Sequence, residues 1–307
     1  MIIASTPLRI SLLGGSTDLE DFIEYNGDGK VISFPVNIYT YISINERYDG
    51  KFLVQYSKKE YVKSVSDIKN DVVRVVLEYF NIDTPLTITL TADIPSDGSG
   101  MAASSSFTLS MIKAISTFKK INLSDMEICL LGLELERKFN PLTGRQDTIG
   151  CGIKGFKYLN FLNGEPTPII KFYSNEYFNN HYFYLVSVGQ GRSSTSVLES
   201  LGLEKRLNLY NTVKDGDENI RKNKFESLNT LILNSWEDKK ETSPLVMNDD
   251  ISRIENTIKN TDGVLSYRLC GAGNGGYMLV VSKNKIKFDE FNIKINIDSR
   301  GMKSWTL

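Results

Sequence analysis

Apolar and polar residues alternate over Leu86–Ala92, where Leu86, Ile88 and Leu90 are set against Thr87, Thr89 and Thr91. A period of two predicts a strand with one buried face. Past a glycine-rich gap the period changes. Leu109, Ile112, Ile115 and Phe118 fall at helical spacing and predict a helix that begins near Ser104. The same reading predicts strands over residues 2–13, 31–45, 51–57, 154–161, 168–173, 182–188, 264–269 and 278–282, with the last over 291–297. It predicts helices over residues 18–25, 67–80, 124–139, 193–209, 217–235 and 251–260. Ser124 and Glu127 have the spacing of a capping box. Strands come first and helices follow, which is an α+β pattern. A shift in composition puts a soft domain boundary near residue 175, giving an N-terminal domain over 1–175 and a C-terminal domain over 176–307.

Composition narrows the function classes. Over 307 residues, 41% are hydrophobic and 24% charged, enough to bury a core without staples. The net charge of −1 offers no basic field for nucleic acid or an anionic membrane. Cys129, Cys151 and Cys270 are odd in number and far apart, which fits a reducing cytoplasm. The N-terminal stretch lacks the basic start and apolar run of a signal peptide, and no apolar stretch is long enough to span a bilayer. The single histidine, His181, reads as a surface residue. Histidine zinc sites and Ser-His-Asp triads are therefore disfavoured, and any general base must be a carboxylate, a lysine or a tyrosine.

Candidate chemistry gathers at a few places. The loop between residues 92 and 104 is rich in glycine and runs into a helix, which presents free N–H groups to an anion such as phosphate. It is not a P-loop, because no Gly-x-x-x-x-Gly-Lys-Ser/Thr string occurs. Arg9 lies in a predicted strand just before Gly14-Gly-Ser-Thr-Asp18. Glu134 and Glu136 fall near a helix C-terminus, where position alone predicts solvated carboxylates. Asp147 sits in a turn-like segment and reads locally as a cap. Gly271-Ala-Gly-Asn-Gly-Gly276 matches the dinucleotide string, but a β-branched run follows it where a helix is needed. Those glycines instead suggest close approach of two backbones, or of a backbone and a ligand.

In chain order, Pro7-Leu-Arg-Ile-Ser-Leu-Leu-Gly-Gly-Ser-Thr-Asp18, Pro95-Ser-Asp-Gly-Ser-Gly-Met-Ala-Ala-Ser-Ser-Ser-Phe107 and Cys270-Gly-Ala-Gly-Asn-Gly-Gly-Tyr277 resemble the three motifs of the GHMP kinases. Gly144-Arg-Gln-Asp147 is similar to that family's catalytic-aspartate segment, and the resemblance covers nearly the whole chain. Glu136-Arg137 and Gly189-Gln-Gly-Arg-Ser193 add similarity to the branch that phosphorylates the anomeric hydroxyl of D-glycero-D-manno-heptose 7-phosphate. Fucokinases share much of the pattern.

The resemblance implies a two-domain α+β fold. The N-terminal domain would be like ribosomal protein S5 domain 2 and the C-terminal one ferredoxin-like, with ATP and sugar in the cleft between them. It implies that Pro95, Gly98, Ser99, Gly100, Met101, Ala102, Ala103, Ser104 and Ser105 wrap the ATP phosphates, and that Ser104 and Glu136 hold Mg2+. Asp147 would be the catalytic aspartate, as base or orienter of the sugar hydroxyl, with Arg9 neutralising charge beside it. Gly14, Gly15, Ser16, Thr17, Asp18, Gly271, Gly273 and Arg192 would face the sugar. Arg192, or alternatively Lys154, is the candidate for holding a sugar phosphate. The expected partners are ATP and a sugar or sugar phosphate, without nucleic acid or membrane, in a monomer or homodimer. Two other readings stay open: a fucokinase-like, galactokinase-like or other small-metabolite kinase, and a non-catalytic sensor of the same fold. Ala102 and Ala103, standing where the family pattern has glycine and serine, motivate the latter.

Overall fold

A computed structural model describes residues 1–95, 98–189 and 194–307. The chain opens with two long strands, β1 (Ile2–Leu13) and β2 (Asp28–Glu46), joined through helix α1 (Glu20–Asn26). Then come β3 (Phe52–Gln55), β4 (Lys59–Val62), α2 (Asp71–Tyr79) and β5 (Leu86–Ala92). Helices α3 (Ala103–Phe118), α4 (Asp125–Arg137) and α5 (Arg145–Gly152) precede β6 (Lys157–Leu162) and β7 (Ile169–Phe172). The second half holds α6 (Glu176–Asn180), β8 (Tyr182–Ser187), α7 (Ser194–Glu199), α8 (Arg206–Arg221), α9 (Phe225–Thr242) and α10 (Asp249–Lys259). It closes with β9 (Val264–Leu269), β10 (Tyr277–Ser282), β11 (Asn292–Ile295) and β12 (Lys303–Thr306).

Two sheets result. The first runs β12-β1-β2-β5-β3-β4, with β6 added on β2 and β7 on β6. The second is antiparallel, in the order β11-β8-β10-β9. The period-two pattern assigns their faces. Ile42, Ile44 and Ile88 meet Leu109, Ile112 and Ile115 of α3 on one face of the first sheet. Leu8, Ile10, Leu12 and Phe34 point the other way, into a core shared with Leu185, Leu279 and Val281 of the second sheet. On the outer face of that sheet, Tyr184, Val186, Met278 and Val280 pack with Ile251, Ile254 and Ile258 of α10. Each fully buried aliphatic side chain contributes on the order of 1.5–3 kcal/mol.

Several expectations need correction. The single helix expected over 217–235 is two helices, α8 and α9, broken where Asn223 takes a left-handed φ of 52°. Asparagine tolerates that conformation and ends a helix as glycine does. The strand expected to be last is followed by β12, which pairs antiparallel with β1. The first sheet thus takes a strand from the end of the sequence described. His181 is half-buried, not a free surface residue: its Nδ1 lies 2.8 Å from the Tyr177 carbonyl and its ring packs on Tyr177 and Phe225.

Candidate active site

Arg9 sits at a register shift in the pairing of β1 with β2 and is buried. Its Nη2 lies 2.6 Å from Asp147 Oδ1 at the head of α5. Its Nη1 donates to the Gly100 carbonyl at 2.9 Å, and its backbone N–H donates to the Met101 carbonyl at 3.2 Å. Burial alone would lower the Arg9 pKa, but the charge and hydrogen bond of Asp147 outweigh it and raise the group above its ordinary value. One side chain thus ties the glycine-rich loop to the aspartate.

The loop delivers the chain to α3 with its first N–H groups open. The N-cap residue is Ala102, at φ 58°, and no side chain caps the helix. A 16-residue helix left uncapped in this way offers an anion both free donors and the positive end of its dipole. The loop is held from behind by the third glycine motif. A Cβ on Gly100 would lie 2.3 Å from the Cys270 carbonyl, and one on Gly271 would lie 2.4 Å from the Gly100 Cα. Only glycine permits this backbone contact.

At the C-terminal end of α4, Glu136 is 1% exposed, not solvated as its position alone suggests. The Ser105 hydroxyl donates to Glu136 Oε2 at 2.5 Å. Burial pushes the carboxyl up to about 7, against hydrogen bonds from Ser105 and Ser104. Among the described residues, no lysine or arginine forms an ion pair with Glu136.

Loop 14–18 closes the other side. Asp18 Oδ2 accepts from the Gln146 N–H at 3.0 Å, and Oδ1 accepts from Gln146 Nε2 at 2.6 Å. Gly144 makes room for this: a Cβ there would lie 2.1 Å from Asp18 Oδ2. Burial first, then the charge of Asp147, raises Asp18 to about 6. Helix α1 anchors the loop. Glu20 takes Arg145 and Arg137 at 2.5 and 2.7 Å, and Asp21 takes Arg206 at 2.5 Å.

These parts surround one cleft of about 550 Å³. It is lined by Arg9, Asp147, Glu136, Ser104, Ser105 and Asp18, by Gly15 and Ser16, and by Gly271 and Gly273. Pro95, Gly98, Ser99, Gly100, Ala102 and Ala103 also reach it. Three expected contacts stand behind the lining. Thr17 is buried, its hydroxyl donating to the Gly14 and Lys30 carbonyls; Gly14 packs against Lys30; and Met101 lies in the core. Lys154 is exposed, beside Gly301 and away from the cleft. Arg192 lies outside the described residues.

Sequence reasoning misses Gln146, Arg268 and Lys239. A signal exists for the last. Leu228, Ile232, Ser235, Trp236 and Lys239 recur at three- and four-residue spacing on α9 and are all buried, so Lys239 occupies an apolar-face position. Arg268 likewise interrupts the apolar end of β9, as Arg9 interrupts β1.

A glycine-braced loop at an uncapped helix, an Arg–Asp pair beside it and a buried carboxylate opposite thus meet in one cleft. Residues 61–155 match the GHMP kinases N terminal domain. The chain has the two-domain α+β fold of the GHMP kinases, and the kinases it is similar to are phosphotransferases that act on an alcohol acceptor with ATP as co-substrate. It is similar over 301 residues, at 27% identity, to a D-glycero-alpha-D-manno-heptose 7-phosphate kinase of Campylobacter jejuni, covering 89% of this chain and 87% of that one. It is 29% identical over 214 residues to an L-fucokinase/L-fucose-1-P guanylyltransferase of Bacteroides fragilis, which covers 65% of this chain but only 22% of that protein. Among solved structures, a D-glycero-D-manno-heptose 1-phosphate kinase from Bacteroides thetaiotaomicron superposes with a TM-score of 0.78 at 19% identity, over 100% of this chain and 99% of that one.

Proposed function

We propose that this chain is an ATP-dependent sugar kinase that phosphorylates the anomeric hydroxyl of a heptose phosphate, converting D-glycero-D-manno-heptose 7-phosphate to the 1,7-bisphosphate. The observation that carries the reaction is Arg9 bonded at once to Asp147 and to the phosphate-loop carbonyl of Gly100. This arrangement sets the acceptor carboxylate beside the anion loop. The substrate rests on the similarity to the Campylobacter kinase along most of both chains.

In this reading the ATP phosphates lie on the loop and the N-terminus of α3, and the apolar end of the cleft, with Val72, Leu90 and Phe107, takes the nucleobase. The sugar lies against loop 14–18. The hydroxyl oxygen attacks the γ-phosphorus, an O–P bond forms, the bond to the bridging oxygen breaks, and ADP leaves. Asp147 orients the hydroxyl and receives its proton. Arg9 keeps Asp147 in place and adds positive charge where the transferring group spreads negative charge. Ser104 and Glu136 would hold Mg2+. Hydroxyl and carboxylate oxygens suit this hard ion, and Glu136 is a buried carboxylate without a basic partner among the described residues. The ion supplies charge neutralisation on the phosphates.

ADP release with ATP, Mg2+ and a panel of heptose phosphates, fucose, galactose and mannose tests the proposal. Turnover should be strongest with the heptose 7-phosphate, and Asp147→Asn should lower kcat by about 10³-fold or more. Stronger turnover with fucose or galactose keeps the mechanism and discards the substrate. Nucleotide binding without turnover on any acceptor overturns the kinase reading in favour of a sensor.

A further inference from the structure

The charges around loop 14–18 do not balance within the protein. Arg9 is matched by Asp147, and Arg206 by Asp21. Asp18 has its two bonds from Gln146. Gln146 is neutral, so two further buried cations share the Asp18 carboxylate and positive charge is in excess by one. Arg268, 3% exposed, lines the cleft; its Nη1 donates to the Leu12 carbonyl, and its Nε has no partner. Lys239, 2% exposed, donates to Ser16 Oγ at 2.8 Å. Neither has a carboxylate within ion-pair distance among the described residues. The groups that bear on Lys239 are Arg268 and Arg206, which repel it, and Asp18, which attracts it.

Burying a cation without a directly paired counter-charge is unfavourable, and placing two together adds repulsion. Burial lowers Lys239 to about 7 and Arg268 to about 10. Both sit against the sugar-side loop. A Cβ on Gly15 would lie 3.9 Å from Arg268 Nη2, and Lys239 reaches the loop at Ser16. Because Ser16 Oγ accepts from Lys239, its own proton is free to donate outward, and Ser16 lines the cleft.

We propose that Arg268 and the Ser16 hydroxyl, with Lys239 behind it as a positioning residue, form the seat for a phosphate group carried by the acceptor. This rests on the sugar-kinase reading of the cleft and gives it a selection rule: phosphorylated acceptors are preferred over their neutral parents. Arg268 supplies charge and donors, and Lys239 fixes Ser16 and adds to the positive potential. Arg192 and Lys154 are not required.

The test compares kcat/KM for a sugar phosphate and for the same sugar without phosphate, in the wild type, Arg268→Gln, Arg268→Lys and Lys239→Met. Charge-assisted hydrogen bonds predict that Arg268→Gln shrinks the preference for the phosphorylated acceptor by roughly 10- to 100-fold. Arg268→Lys should keep part of it, and Lys239→Met should weaken it about tenfold by the same reasoning. An unchanged ratio, or equal losses on both acceptors, overturns the assignment. If Arg268→Gln does not fold, Ser16→Ala reads the same ratio. A second arm is independent of the sugar: with the nucleotide site saturated by a non-hydrolysable ATP analogue, inorganic phosphate is titrated against thermal melting. Phosphate should raise the Tm of the wild type and not of Arg268→Gln. Equal shifts in both refute the seat, whereas a phosphate response without turnover of any heptose refutes only the proposed substrate.

Discussion

Two residues in the cleft carry strain that can be measured. Ala102 holds a left-handed φ of 58° at the mouth of α3. For a residue with a Cβ this costs about 1–2 kcal/mol, against roughly 0.5–1 kcal/mol of chain entropy lost by glycine. Ala102→Gly should therefore be neutral or stabilising by up to about 1 kcal/mol in urea denaturation, whereas Ala114→Gly, in the buried interior of the same helix, should lose about 1 kcal/mol or more. Equal losses at both positions would show that Ala102 is not strained. Asp18 is strained electrostatically. With its folded pKa up to about 6, between about pH 4 and pH 6 the folded chain holds a proton that the unfolded chain has released. Stability from this group is full below that window and falls as pH rises through it, by roughly 3 kcal/mol in all. Asp18→Asn removes the slope. The stability difference, variant minus wild type, should climb across the window and level off above it; a difference that does not vary with pH would count against the burial argument.

At the scale of elements, the site is a contact between the phosphate loop and the turn after β9. Gly271→Ala would drive a Cβ into the Gly100 Cα at a left-handed φ of 76°. Nucleotide affinity should fall at least about tenfold, with a Tm lower by several degrees, as calorimetry and melting would report. Unchanged affinity would mean that the loop keeps its shape without this brace. The elements that build the site were the readable ones. Strands β2 and β5 and helices α3 and α4 have clear periods, β1 alternates loosely, and the Ser124–Glu127 capping box forms as its spacing predicts. Two of the short strands were not. β4 and β12 are edge strands of 4 residues with mixed polar faces, too short to display a period. The charged stretch between 204 and 242 carries enough lysine and glutamate to blur where α8 ends and α9 begins. The motif residues could be found because several fall close together in sequence. The cations behind loop 14–18 come from α8, α9 and β9, hundreds of residues away, and only folding shows that they share a wall.

Across the whole molecule, one core runs from the first sheet into the second, so the cleft walls are not independent bodies. The last strand adds to this unity. β12 pairs with β1 from Ile2↔Thr306 to Ser5↔Lys303, and the N-terminal amine reaches the Leu307 carbonyl. Removing residues 303–307 would uncover the edge of β1. The truncated chain should lose a few kcal/mol from the missing ladder and scatter more light on mild heating, since an open edge templates pairing with other chains. A truncated chain with unaltered melting and no scattering would show that β12 is dispensable. The same pairing sets an order in time. β1 is synthesised well before β12, so the strand that carries Arg9 waits with one edge open until β12 emerges. For a nascent chain, completion of the sheet that carries Arg9 is thus timed by the synthesis of β12.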